Sequence, residues 1–119
     1  MISGADKSAF VLADEPARVH QITEALATQG FVVVGDASDA SVARPLIEER
    51  LPALLVIELD SLAAGENGKS RNESVFEVVR AARELLPTLK VVAVMESVDP
   101  DLIATTADRG VDAYVLAPA

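Results

Sequence analysis

Residues 52–60 read PALLVIELD, an apolar run from Ala53 to Ile57 that ends in Glu58, Leu59 and Asp60. The run is too short for a helix stripe and shows no polar alternation. Such a segment is a strand buried on both faces, the condition of a parallel sheet covered by helices on each side. Its acids then fall where the strand leaves the core.

Four further runs have the same character: AFVLAD (9–14), FVVVGD (31–36), KVVAVM (90–95) and AYVLA (113–117). Helical patterning fills the intervals, so the chain reads as repeated β-α-β units. The first helix starts near Pro16, carries Val19, Ile22 and Leu26 on one face and stops at Gly30. A second spans Ala40 to Arg50 with Val42, Leu46 and Ile47 inward, and Pro45 is expected to kink it or delay its start. A third covers about Glu73 to Leu86, with Val75, Val78, Val79, Ala82 and Leu86 on one stripe and Pro87 just beyond. The fourth follows Asp99-Pro100, with Asp99 as N-cap, and ends by Gly110. The stretch from Ser61 to Ser74 is read as a long loop.

Right-handed crossovers make this an α/β fold, a doubly wound five-stranded parallel sheet in the flavodoxin-like order 2-1-3-4-5. In such sheets the working crevice lies beyond the carboxyl ends of the strands, where the winding reverses. That expectation groups Asp14, Glu15, Glu58 and Asp60. The expected fold lacks a helix after the last strand. Alternation along AYVLA sets Ala113, Val115 and Ala117 on one face and Tyr114 and Leu116 on the other, so an apolar row near Val115 is expected to lack cover.

Composition narrows the function classes. The 119 residues make one domain, half of them apolar. Ten Lys and Arg stand against 19 Asp and Glu, a net charge of −9 with no basic cluster, which argues against direct nucleic-acid binding. Without cysteine there is neither a disulfide framework nor a thiol nucleophile, which fits a cytoplasmic setting. No run approaches the roughly 18 apolar residues of a membrane span. The single histidine, His20, has no second histidine with which to share a metal and reads as a solvated or half-buried structural residue.

One motif invites a different chemistry. AAGENGKS, residues 63–70, matches the spacing of a phosphate-cradling P-loop, with Gly68, Lys69 and Ser70 as its core and Asp14 as a magnesium-binding strand end. The pattern constrains only four positions, and SRNES after it has no apolar member. The favoured reading is a solvated insertion loop, replaceable from Ala64 to Arg71 by a short linker at little cost.

Four segments in order, ADEPARV, PALLVIELD, LKVVAVMESVDPDLI and GVDAYVLAPA, resemble the signatures of receiver domains of two-component response regulators. The resemblance covers nearly the whole chain, with the Ser61–Ser74 stretch longer than the family's usual connection. It implies phosphoryl transfer from a histidine kinase to an Asp after the third strand, with magnesium held by acids after the first. Carried over, the acid pair becomes Ala13 and Asp14, with Glu15 next, and the acceptor position carries Glu58. The hydroxyl position is Met95, the switch aromatic is Tyr114, and the lysine position before Pro118 is Ala117.

Each departure removes a physical contribution to that chemistry. Ala13 weakens a magnesium clamp that Asp14 and Glu15 retain only in vestige, Ala117 lacks the neutralising cation, and Met95 donates no hydrogen bond. Glu58 is either a built-in mimic of the charged state or a residue released from selection. Asp60, on the same side by alternation, is a weaker substitute acceptor.

The resulting expectation is a degenerate, non-enzymatic receiver-like module that needs no cofactor. It would act by homodimerisation or by docking on an output domain or sensor protein, as the N-terminal part of a longer chain. The alternatives are a phospho-accepting receiver and a small P-loop nucleotide-binding protein.

Overall fold

Val, Leu and Ile runs bounded by turn residues become five parallel strands: β1 (Ser8–Leu12), β2 (Val32–Ala37), β3 (Leu54–Glu58), β4 (Lys90–Met95) and β5 (Ala113–Leu116). The computed structural model describes residues 7–60 and 66–117, and side chains there except those of residues 66–69. The strands lie in the expected order β2-β1-β3-β4-β5. Four helices connect them: α1 (Pro16–Thr28), α2 (Ala40–Arg50), α3 (Glu66–Leu85) and α4 (Pro100–Asp108).

Strand alternation divides the interior into two cores. Phe10, Leu12, Leu55, Ile57, Val91, Ala93 and Met95 pack with residues of α2, α3 and α4, among them Ile47, Val75, Val79 and Leu102. Ala9, Val11, Ala13, Leu54, Val56 and Val94 face a smaller core in which Val19, Ile22 and Leu26 of α1 supply the helical side. One helix shields less of a sheet than three. Val115, which pairs with Val94 on the α1 side, is accordingly about half exposed, at 49%, so the apolar row expected near Val115 does lack cover.

Local chemistry sets the helix starts. Asp39, in extended backbone, accepts hydrogen bonds at Oδ1 from Ser41 N (2.8 Å) and Ser41 Oγ (2.7 Å), which opens α2 at Ala40. The helix then runs through Pro45 to Arg50, so the proline does not delay its start. In this phase Ala43 and Ile47 are buried and Val42 is 52% exposed, which corrects the inward placement of Val42. Asp99 caps α4 as expected, its Oδ1 accepting from Leu102 N at 3.2 Å.

A further correction concerns α3, which begins at Glu66 rather than near Glu73. Apolar periodicity detects only turns that pack against a core, and the first turns here present mostly polar residues. Opposite Phe10, β2 carries Gly35, where an added Cβ would lie 2.9 Å from the Phe10 ring. The strand register shifts at that point, letting the aromatic ring press against bare backbone.

Candidate functional site at the carboxyl ends of the strands

Leu54, Val56 and Glu58 share one face of β3 by alternation, so the strand that buries two aliphatic side chains beneath α1 ends by aiming a carboxylate there. Glu58 is 8% exposed. Because α1 opens immediately after the β1 turn, Arg18 in its first turn reaches this carboxylate, with Nε donating to Glu58 Oε2 at 2.9 Å. The backbone N–H of Asp14 donates to Glu58 Oε1 at 3.0 Å. Arg18 also donates through Nη1 to Gln21 Oε1 at 2.8 Å and through Nη2 to Glu96 Oε1 at 3.4 Å. One guanidinium thereby ties α1 to β3 and to the segment after β4.

A second arginine approaches from the opposite side of the sheet end. Arg71 on α3 donates through Nη1 to the backbone carbonyl of Glu58 at 2.8 Å, and Nη1 lies 3.8 Å from Asp60 Oδ1. Its Nη2 stands 3.9 Å from Glu58 Oε1, is fully buried, and has no hydrogen-bond partner among the described residues. Next to it, Asn72 is 3% exposed and pairs with Asp60 as a second strand would: Asp60 N donates to Asn72 Oδ1 and Asn72 Nδ2 donates to Asp60 O, each at 2.8 Å. This side chain continues the ladder for a backbone that has left β3.

Of the four acids expected together, Asp14, Glu58 and Asp60 converge, and Glu96 joins them. Burial raises the Asp60 carboxyl above its ordinary value, Arg71 opposes this, and the charges of Glu58, Asp14 and Glu96 add to it. Glu15 is exposed at the N-cap of α1, makes no side-chain capping bond and accepts through its carbonyl from Val19 N. The group does not fit a magnesium ion. Both Glu58 oxygens are engaged by Arg18 and the Asp14 N–H, Ala13 offers no ligand, and no three His, Cys, Asp or Glu side chains among the described residues are arranged to hold a metal.

The remaining predicted positions are scattered. Met95 is buried in the core on the α2, α3 and α4 side. Ala117 donates its N–H to the Met95 carbonyl at 2.7 Å. Tyr114 is 44% exposed. Ser61 to Gly65 and Pro118 lie outside the described residues. Gly68, Lys69 and Ser70 lie in the opening turns of α3, with the side chain of Lys69 outside the described set. A helix formed from Glu66 corrects the loop assignment through Ser74, and it makes Arg71 part of the site rather than of an exchangeable linker. His20 is solvated beside Glu24, at 3.1 Å.

Arg18, Arg71, Asn72 and Glu96 were not singled out by sequence reasoning. A signal for two of them existed. Counting back from the apolar stripe, Arg71 lies four residues before Val75 and Asn72 seven before Val79, on the face that packs.

Beside the site, α1 and the uncovered part of the sheet bound an apolar groove lined by Ile22, Leu26, Val92, Val94, Val115 and Ala117, with Arg18 at its end.

A five-stranded parallel sheet in this order is the flavodoxin-like arrangement, which receiver domains share, and solved receiver structures have the same fold. The chain is similar to a CheY-like protein, TadZ, from Pseudomonas aeruginosa, with 23% identity, 95% of this chain and 88% of that one covered, and a TM-score of 0.70. It is similar to the isolated receiver domain of RcsB from Salmonella enterica serovar Typhimurium, in the presence of a beryllium fluoride phosphomimetic, with 14% identity, coverage of 92% and 76%, and a TM-score of 0.72. It also resembles a LuxR-family two-component response regulator from Aurantimonas, with 19% identity, coverage of 92% and 72%, and a TM-score of 0.71. No protein-family model and no curated protein sequence matches the chain. Among the described residues, no helix is long and apolar enough to cross a membrane.

Proposed function

We propose that this chain is a receiver-type regulatory domain of a two-component signalling protein that takes up no phosphoryl group and works by protein contact, through self-association or by docking on an output domain. The observation that carries this reading is the engagement of Glu58. Its two oxygens are held by Arg18 Nε and by the Asp14 N–H, at the position where the family resemblance places the phosphoacceptor.

An acceptor carboxylate must attack phosphorus with a free oxygen while cations neutralise the incoming oxyanions. Here attack would break a largely buried ion pair. Met95 has no hydroxyl to bind the product, and Ala117 has no charge to offset it. The uncovered groove between α1 and β5 is the surface this reading assigns to protein contact.

The test is incubation with acetyl phosphate and magnesium followed by intact-mass measurement. No added phosphoryl mass is expected, and a substantial acid-labile adduct on Glu58 or Asp60 would overturn the reading.

A further inference from the structure

Two arginines converge on the end of β3. Ala117 leaves the usual cation position of the resemblance empty, yet the Glu58 carboxylate sits between two guanidinium groups that come from other elements, α1 and α3. Three donor groups lie at this one corner: Arg18 Nε at 2.9 Å from Oε2, the Asp14 N–H at 3.0 Å from Oε1, and Arg71 Nη2 at 3.9 Å from Oε1. The last is fully buried with no hydrogen-bond partner among the described residues. A buried donor without a partner is costly, so the corner has more donor capacity than the Glu58 side chain uses.

We propose that Arg18, Arg71 and the Asp14 N–H form an oxyanion-binding site whose built-in occupant is the Glu58 carboxylate. The ligand class is a small planar carboxylate or a comparable oxyanion, because a guanidinium and a converging N–H present donors in the geometry that a two-oxygen group accepts. Glu58 fills the site permanently, so the corner is held in its anion-bound arrangement without any modification. Through Arg18 Nη2 and Glu96, that arrangement extends to the segment after β4. This deepens the proposed function and rests on it only for the identity of the acceptor position. Anion binding and phosphoryl uptake are separate measurements.

Emptying the site tests the proposal. Glu58→Ala and Glu58→Ser remove the tethered carboxylate and leave its donors, and acetate is the probe, titrated against chloride at equal ionic strength. Both variants should melt below the parent chain. Acetate should then raise their melting temperature, with the logarithmic dependence of single-site binding, by about 5 °C once it exceeds its dissociation constant roughly tenfold. The parent and Glu58→Gln, whose side chains still fill the corner, should show no acetate-specific gain, and adding Arg18→Ala to Glu58→Ala should abolish it. If the emptied variants are unfolded without acetate, acetate-dependent recovery of far-ultraviolet circular dichroism reports the same binding. No gain over chloride in either variant, folded or not, overturns the proposal, as does an equal gain in the parent chain.

Discussion

Arg18 Nε donates to Glu58 Oε2 at 2.9 Å, and the two side chains are only 15% and 11% exposed. A pair this shielded contributes little over an apolar pair of the same shape, but breaking it from one side strands a charge. Arg18→Ala is therefore expected to destabilise the domain by about 3 kcal/mol. Adding Glu58→Gln should recover part of the loss by removing the stranded carboxylate. Urea unfolding of the two single variants and the double variant measures the coupling, and strict additivity would contradict the pairing.

Asn72 substitutes for a neighbouring strand beside Asp60, giving and taking one backbone hydrogen bond. Asn72→Ala leaves a buried N–H and a buried carbonyl to find other partners, at a cost of about 2 kcal/mol. Asn72→Asp can still accept from Asp60 N but has no donor for Asp60 O, and it adds a charge to an acidic neighbourhood. It should be no better than alanine at neutral pH. An aspartate variant as stable as the parent chain would show that the reciprocal pairing carries no energy.

Asp60 and Asp112 should respond to pH with opposite signs. Burial raises Asp60 above its ordinary value of 3.8 despite Arg71, with the nearby carboxylates adding to the effect. Its contribution to stability is thus complete below 3.8 and lost as pH rises through the higher folded value. For Asp112, burial acts in the raising direction but is outweighed by hydrogen bonds from Val91 N and Arg83, so its carboxyl is lowered from 3.8. That contribution is present above 3.8 and is lost as pH falls through the lowered folded value. At about pH 7, Asp60→Asn should raise the urea midpoint and Asp112→Asn should lower it. Both differences should shrink on the acid side, and an Asp60→Asn gain that persists undiminished in acid would exclude its titration as the cause.

Val115 stands 49% exposed at the edge of the groove beneath α1, the one covering helix on this side among the described residues. Val115→Glu should weaken self-association in light scattering after size-exclusion chromatography over a hundredfold concentration range. It should also lower binding of an apolar-surface dye while leaving the melting temperature within a few degrees, because little buried contact is lost. A parent chain that is strictly monomeric at every concentration and binds no dye would remove this face from the proposed function.

Periodicity and composition were sufficient for the strands, the crossovers and the order of the sheet. Each of these follows from local burial: a run such as Leu54 to Ile57 has to be covered on both faces wherever it sits. The same patterning placed Glu58 at the carboxyl end of the third strand and left Val115 without cover. It could not reveal what meets Glu58, since Arg18 lies 40 residues away in the chain and Arg71 lies 13 away. Nor could it extend α3 back to Glu66, because polar turns carry no apolar stripe. Burial is written along the chain in the spacing of apolar residues, whereas the pairing of charges depends on distances that exist only once the crossovers have brought α1 and α3 to the end of β3.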